Sequence, residues 1–304
     1  VLKVFISTSS FAKDDNRPLD MLKKAGLEIS LNPYGRKLSE DEIGYFLHDA
    51  DYLIAGTEPL THRVLESAKR LKVISRCGTG LDNVDIKAAD KIGIKVYNTP
   101  YGPTLSVAEL TIGLMLDVLR YISKMDRDIR SGIWKKYTGN LLSEKKVGII
   151  GFGKIGRKVA ELLIPFGCEI IYCDIKTNDT GLNFKNASLD EILRTSDIIS
   201  IHVSSKEQII GKEEFKKIKK GAWIINVSRG EVIDETELYN ALKEGHLSGA
   251  ALDVFEEEPY TGLLKELDNV ILTPHIGSYA KEGRINMEIE AVKNLLDGAE
   301  ISLK

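Results

Sequence analysis

The chain has 304 residues, enough for two domains that each bury a core of their own. Hydrophobic residues make up 43% and charged residues 29%, with 42 Lys+Arg against 45 Asp+Glu, a net charge of −3 with His neutral. That balance argues against a strongly basic nucleic-acid binder, an acidic disordered chain and a polybasic membrane binder; the longest apolar stretch, residues 107–122, is interrupted by Glu109, Thr111, Asp117 and Arg120, so no membrane span is expected.

Short runs rich in Val and Ile alternate with helical patterns along the whole chain, the rhythm of βαβ units around parallel sheets. Residues 2–7 read as a strand, 18–25 as a helix stopped by Gly26, and 27–31 as a second strand. Ser39 and Glu42 have capping-box spacing ahead of a helix at 43–48. Strands at 52–55, 73–76 and 94–98 then alternate with helices at 61–70 and 85–92, the pattern of a flavodoxin-like domain. The cluster NTPYGP at 98–103 marks a crossing into a second domain. A helix over 105–124 follows, apolar around most of its circumference, which fits a homodimer interface, a core helix, or both.

From Lys146 the rhythm restarts with a strand at 147–150, a helix at 154–166 closed by Gly167, and a strand at 169–173. Later strands are expected at 198–202, 222–227, 249–255 and 269–272, with Ser188/Glu191 and Asp234/Glu237 spaced as helix starts. A last helix over 281–296 has no strand after it and is free to pack back on the first domain. Cys77, Cys168 and Cys173 are an odd number without metal-type clustering, which fits a reducing cytoplasm and gives no metal site.

The glycines of GFGKIG, Gly151, Gly153 and Gly156, stand directly after a predicted strand and open a predicted helix. In that context Gly151 permits the tight turn, Gly153 lets a pyrophosphate approach the backbone, and Gly156 lets helix and strand pack closely. Free N–H groups and the positive end of the helix dipole then face the anion. Asp174 ends the next strand, where its carboxylate is placed for the adenosine ribose hydroxyls and repels a 2′-phosphate, so NAD is expected over NADP, with Lys176 nearby as the opposing charge.

Three later strands of the same domain are followed by Arg229, Glu258 and His275. Ligands of doubly wound sheets bind beyond the carboxyl ends of the strands, so three separate stretches deliver these groups to one rim. Interconversion of a 2-hydroxy and a 2-keto acid needs this set: a guanidinium for carboxylate and carbonyl, an imidazole for the hydroxyl proton, and a carboxylate to orient the imidazole. Taken singly each residue reads as a salt bridge or satisfied polar group; together, downstream of a cofactor fingerprint, they read as catalytic.

At these residues the chain closely resembles the D-isomer-specific 2-hydroxyacid dehydrogenase family, especially its D-3-phosphoglycerate dehydrogenase branch. The matching segments are RCGTGLDNVD at 76–85, VAE at 107–109, GFGKIG at 151–156, NVSRG at 226–230, DVFEEEP at 253–259 and TPHIG at 273–277. The resemblance implies that Arg229 binds substrate, Glu258 partners the histidine and His275 is the general acid/base. It implies that Gly78, Thr79 and Gly80 present backbone to the substrate carboxylate, and that Thr79, Lys154, Ile155, Asp174, Val227, Ser228, Asp253 and Gly277 belong to the NAD site. It further implies a homodimer, a discontinuous substrate-binding domain (1–99 plus 280–304) and a Rossmann NAD-binding domain (100–279). The chain ends soon after its last helix, as in short-form members.

Two departures from the family pattern matter. Ser204 stands where proline is usual on the cofactor wall, and AGTEP at 55–59 lacks the arginine expected after the third strand as a phosphate clamp. Glu58 would repel an anion if it faced the cleft, leaving Arg76 as the candidate partner for a distal negative group, or as a structural ion pair. The leading substrate is therefore 3-phosphoglycerate, with an unphosphorylated acid such as glyoxylate or hydroxypyruvate as the alternative. A formate dehydrogenase is disfavoured by Glu258, since formate oxidation releases no hydroxyl proton for a His–Glu pair to handle. An NAD-sensing corepressor of the same fold is the alternative from another class. Cys77 and His202 have structural readings that outweigh chemical ones, and Trp134 reads equally as a residue that closes the cleft or as surface packing.

Overall fold

The computed structural model describes residues 1–175 and 184–302; Lys176 lies outside the described residues. The chain divides into two compact units, Val1–Ser106 with Ser278–Lys304, and Val107–Gly277.

In the first unit five parallel strands, β1 (Lys3–Ile6), β2 (Glu28–Leu31), β3 (Tyr52–Ala55), β4 (Val73–Arg76) and β5 (Lys95–Asn98), run in the order β2-β1-β3-β4-β5. Helices α1 (Arg17–Lys24), α2 (Glu40–Leu47), α3 (His62–Ser67) and α4 (Ile86–Ile92) connect them. Alternate strand residues feed opposite faces, as the period of two requires. Phe5, Leu53 and Ile74 meet Ile43, Leu47 and Val64 of the helices on one side. Val4, Ile6 and Ile54 meet Leu22 and the C-terminal helix, Lys281–Gly298, through Met287, Ala291 and Leu295 on the other. Helix starts follow local chemistry. Ser39 and Glu42 form the reciprocal capping box of α2, and Thr61 and Asp85 cap α3 and α4, each cap contributing about 1 kcal/mol.

The helix expected over 105–124 is two helices. α5 (Thr104–Arg120) stops at Tyr121, whose φ of +56° is left-handed, and α6 (Ile122–Arg130) restarts beyond it. The Asp117 carboxylate accepts from the Ser123 amide at 2.8 Å and from its hydroxyl, capping the new helix from the old one. A polar pair inside a nearly continuous apolar pattern is a weak sequence signal, which is why the periodicity ran through it.

Among its described residues the second unit holds seven parallel strands: β6 (Lys146–Ile150), β7 (Glu169–Cys173), β8 (Lys185–Asn186), β9 (Ile198–Ile201), β10 (Trp223–Asn226), β11 (Gly249–Leu252) and β12 (Val270–Leu272). Their order is β12-β11-β10-β9-β6-β7-β8. Helices α7 (Lys154–Leu163), α8 (Leu189–Thr195), α9 (Lys212–Phe215) and α10 (Glu235–Lys243) cover it together with α5; the C-terminal helix of the first unit is α11. One face packs Ile199, Ile224 and Leu252 under α8 and α10, the other packs Val147, Ile149 and Ile225 under α5 and α7. Both faces are covered, as parallel sheets require. The two-residue β8 and four-residue α9 leave no pattern in the sequence, because neither is long enough to show a period. The strand order reverses between β6 and β9, which places the ligand crevice of the sheet at the turn after β6.

Candidate active site

The three glycines after β6 differ in what they make room for. Gly151 has φ +89°, and a Cβ there would lie 2.6 Å from the His202 carbonyl oxygen. At Gly156 a Cβ would lie 2.1 Å from the Gly151 carbonyl oxygen, so the fold itself demands glycine. Gly153 is exposed, and a Cβ on it would meet nothing within 4 Å. It caps α7 with no side chain of its own, and the open space beside it is the approach that a pyrophosphate needs. Asp174 follows β7, and its Oδ2 accepts from the Phe152 amide at 2.6 Å, so the carboxylate reaches the glycine turn. These residues fit an adenine dinucleotide, with Lys154 exposed and Ile155 half-buried at the start of α7.

Beyond the neighbouring strands, Arg229 follows β10, Glu258 follows β11 and His275 follows β12. The His275 Nδ1 lies 2.9 Å from Glu258 Oε2. A carboxylate only accepts, so Nδ1–H donates and Nε2 is the basic nitrogen of the neutral ring. Their side chains are 53% and 38% exposed, so the pair is open to a ligand. The hydrogen bond that His275 donates to Glu258 raises the His275 titration above the ordinary value; burial opposes it, the charges of Glu258 and Asp253 add to it, and that of Arg229 subtracts. Burial by itself would raise the Glu258 carboxyl, but His275, the Phe255 amide and Arg229 hold it below the ordinary value. The Arg229 guanidinium donates to the Ser228 carbonyl at 2.7 Å while its charge acts on both members of the pair.

Asp253 is fully buried and faces the histidine loop. Its Oδ1 accepts from Thr273 Oγ1 at 2.6 Å and from the Ile276 amide at 2.8 Å, and its Oδ2 accepts from the Gly277 amide at 2.8 Å. Both oxygens thus organise the loop that carries His275. Val227 and Ser228 are buried beside β10, whereas Ser204 is exposed. His202 is buried, its Nε2 is 2.8 Å from Ser200 Oγ, and burial pushes its titration down to about 3, so it stays a neutral structural imidazole.

In the first unit the loop after β4 carries Gly78, Thr79 and Gly80. The Gly78 amide donates to Thr99 Oγ1 at 2.7 Å, which commits it inside the fold, while Thr79 is exposed and Gly80 half-buried. Burial pushes the Cys77 thiol up to about 12, which removes it as a nucleophile. Arg76 folds over Gly78 and donates from Nη1 to the Cys77 carbonyl at 3.0 Å. Glu58 does not face open solvent: it is 1% exposed, and its Oε1 accepts from Ser7 Oγ at 2.5 Å and from the Gly56 amide at 3.2 Å. Burial raises its titration, and the Arg76 charge is among the influences that oppose the rise. Asn226 and Thr273 bond to the residues of this candidate site, Asn226 to Ser228 and Arg229 and Thr273 to Asp253; in sequence they stand only as members of the NVSRG and TPHIG segments, because a single polar residue at a strand end has no distinguishing pattern.

The chain is similar to known proteins in sequence and in fold. The family model for the NAD binding domain of D-isomer specific 2-hydroxyacid dehydrogenases matches residues 112–277. The chain is 38% identical to a hydroxypyruvate reductase of Thermotoga maritima over 92% of its own length and 95% of that protein's. It is 36% identical to a D-3-phosphoglycerate dehydrogenase of Archaeoglobus fulgidus over 93% of its length, but spans only 55% of that relative. Among solved structures, the TT0316 protein of Thermus thermophilus superposes with a TM-score of 0.91 at 34% identity, covering 98% of this chain and 97% of that one. A doubly wound NAD-binding unit with this family's model running through it, and relatives of this identity along nearly the whole chain, establish that the protein belongs to the D-isomer specific 2-hydroxyacid dehydrogenase family, the NAD-dependent oxidoreductases of small 2-hydroxy and 2-keto acids.

Proposed function

We propose that Arg229, Glu258 and His275 carry out the interconversion of a short D-2-hydroxy acid and its 2-keto acid. The observation that carries this reading is the 2.9 Å bond between His275 Nδ1 and Glu258 Oε2, which leaves Nε2 as the proton acceptor. In the oxidative direction neutral His275 takes the hydroxyl proton while the hydride leaves C2, and Glu258 stabilises the resulting imidazolium. Arg229 binds the carboxylate and polarises the carbonyl oxygen. Bound NAD supplies the nicotinamide that accepts the hydride. The first unit is read as the substrate domain; in its loop after β4 the Gly78 amide already serves Thr99, which leaves Thr79 and Gly80 as the positions that face a ligand.

For the substrate's tail, an unphosphorylated acid of the hydroxypyruvate or glyoxylate kind has the better support. A carboxylate, Glu58, is buried where the branch that handles phosphate carries a guanidinium, and the Arg76 charge acts on it. The second reading, 3-phosphoglycerate, rests on the branch motifs and on the Archaeoglobus relative. Steady-state NADH consumption with 3-phosphohydroxypyruvate, hydroxypyruvate, glyoxylate and pyruvate tests both. Preference for the phosphorylated acid reverses the substrate assignment, and turnover of none removes the reaction.

Two further parts of the reading concern setting and assembly. The free thiols Cys77, Cys168 and Cys173 support a reducing, cytoplasmic setting. Among the described residues no helix is long and apolar enough to cross a membrane. The segment after α5 exposes Ile122, Ile129, Ile133, Trp134 and Leu141, which supports a homodimer formed through the cofactor-binding unit.

A further inference from the structure

We infer that Asn226 and Gly230 are the positioning residues that set the Arg229 guanidinium against the Glu258–His275 pair; this rests on the dehydrogenase reading of the site given above. Asn226 ends β10 and is 1% exposed. Its amide spans the turn that follows: Oδ1 accepts from the Ser228 amide at 3.0 Å and from Ser228 Oγ at 2.8 Å, and Nδ2 donates to the Arg229 carbonyl at 2.8 Å. Three bonds from one planar group fix the direction in which Arg229 leaves the strand, and only a side chain with donor and acceptor on the same short amide makes all of them.

Gly230 then fixes the distance. A Cβ on it would lie 1.8 Å from the Phe255 carbonyl carbon and 2.2 Å from the Glu256 amide nitrogen, so the arginine turn rests directly on the backbone of the loop that carries Glu258. That loop is tied on its other side, where the Phe255 amide donates to Glu258 Oε1 at 3.2 Å and the Glu256 amide donates to Glu235 Oε1 at 2.7 Å. Added bulk at Gly230 or loss of the Asn226 bonds moves Arg229 relative to Glu258, and a displacement of about 1 Å costs on the order of 100-fold in rate.

The groups whose charges act on His275 give a readout that a purely structural role would not move. Glu258 and Asp253 raise its titration and Arg229 lowers it. Displacing Arg229 therefore shifts the alkaline limb of the reduction reaction to higher pH. The experiment compares wild type with Asn226→Ala and Gly230→Ala, using hydroxypyruvate and NADH, and confirms folding by thermal melts and NADH binding. Both variants are expected to lose about 100-fold in kcat/KM for the keto acid, to bind NADH with a Kd within about twofold of wild type, and to show the upward limb shift. Should Gly230→Ala fail to fold, Asn226→Ala and the milder Asn226→Ser carry the test. A folded variant with wild-type kcat/KM, or a loss with an unmoved limb, overturns the inference while leaving the dehydrogenase reading intact. A wild-type chain inert on every 2-keto acid overturns that reading and this inference with it.

Discussion

His275 holds its Nδ1 2.9 Å from Glu258 Oε2 while its backbone sits at φ +54°, in the left-handed region that a bulky side chain seldom adopts. The conformation is held by the buried Asp253, which accepts the amides of the two residues that follow. The imidazole is thus aimed by backbone geometry on one side and by a carboxylate on the other, the combination expected where strain serves a site.

The first prediction concerns pH. Glu258 raises the His275 titration, chiefly through their hydrogen bond. Reduction needs the imidazolium, so its rate holds below that pKa and falls as pH rises through it; oxidation needs the neutral ring and gains over the same interval. Glu258→Gln removes the charge, so the limb of the reduction moves to lower pH and kcat falls by about 10- to 100-fold. Profiles of kcat/KM in both directions check this. A limb that stays in place in Glu258→Gln removes Glu258 as the partner.

The glycines after β6 give a second, paired prediction. Gly156→Ala places a Cβ 2.1 Å from the Gly151 carbonyl oxygen, so it is expected to lower the melting temperature as well as cofactor affinity. Gly153 has φ −75° and ψ −157°, which alanine adopts without strain, and open space beside it. Gly153→Ala is therefore expected to leave the melting temperature of the free protein unchanged while weakening NADH about tenfold or more, because the methyl occupies the anion's approach. Equal NADH affinity in Gly153→Ala and wild type removes the pyrophosphate from this position.

Much of this architecture is legible before any coordinates, for a physical reason. Parallel strands buried on both faces leave continuous runs such as Ile198–Ile201, and helix starts announce themselves through Ser39, Asp85 and Asp234. Functional groups at strand ends are legible because the chain must put them at one edge of the sheet. What stays hidden depends on long-range contacts. Nothing local marks Glu58 as buried beneath Ser7, Asp253 as the organiser of a loop twenty residues on, or Tyr121 as the break between two helices.

Cofactor choice supplies the third prediction. Asp174 Oδ2 is anchored by the Phe152 amide at 2.6 Å, which fixes a negative charge at the end of β7 where the adenosine ribose is expected. Asp174→Ser removes that charge and is expected to weaken NADH while improving NADPH, shifting the ratio of their kcat/KM values by about 10-fold or more. Kinetics with both dinucleotides under one buffer measure it. An unchanged ratio moves the ribose contact to another residue.

The last prediction follows from the apolar surface that α6 and the segment after it leave uncovered. Ile129, Ile133 and Trp134 are 57%, 50% and 83% exposed, close together in sequence and on the cofactor-binding unit. Single exposed apolar residues are ordinary, but three large ones within six positions of the chain support a contact surface here. A symmetric dimer brings the same patch of two copies together and buries it twice. Ile133→Glu puts a charge into that contact on both copies at once, where it faces either hydrocarbon or its own symmetry mate, and both cost free energy. Wild type is expected to run at twice the chain mass in light scattering coupled to gel filtration, and Ile133→Glu at the chain mass or in rapid exchange at micromolar concentration. Because position 133 is already half exposed in the single chain, the variant monomer should keep its fold by circular dichroism. A wild-type monomer, or a variant dimer as tight as wild type, removes this face as the interface.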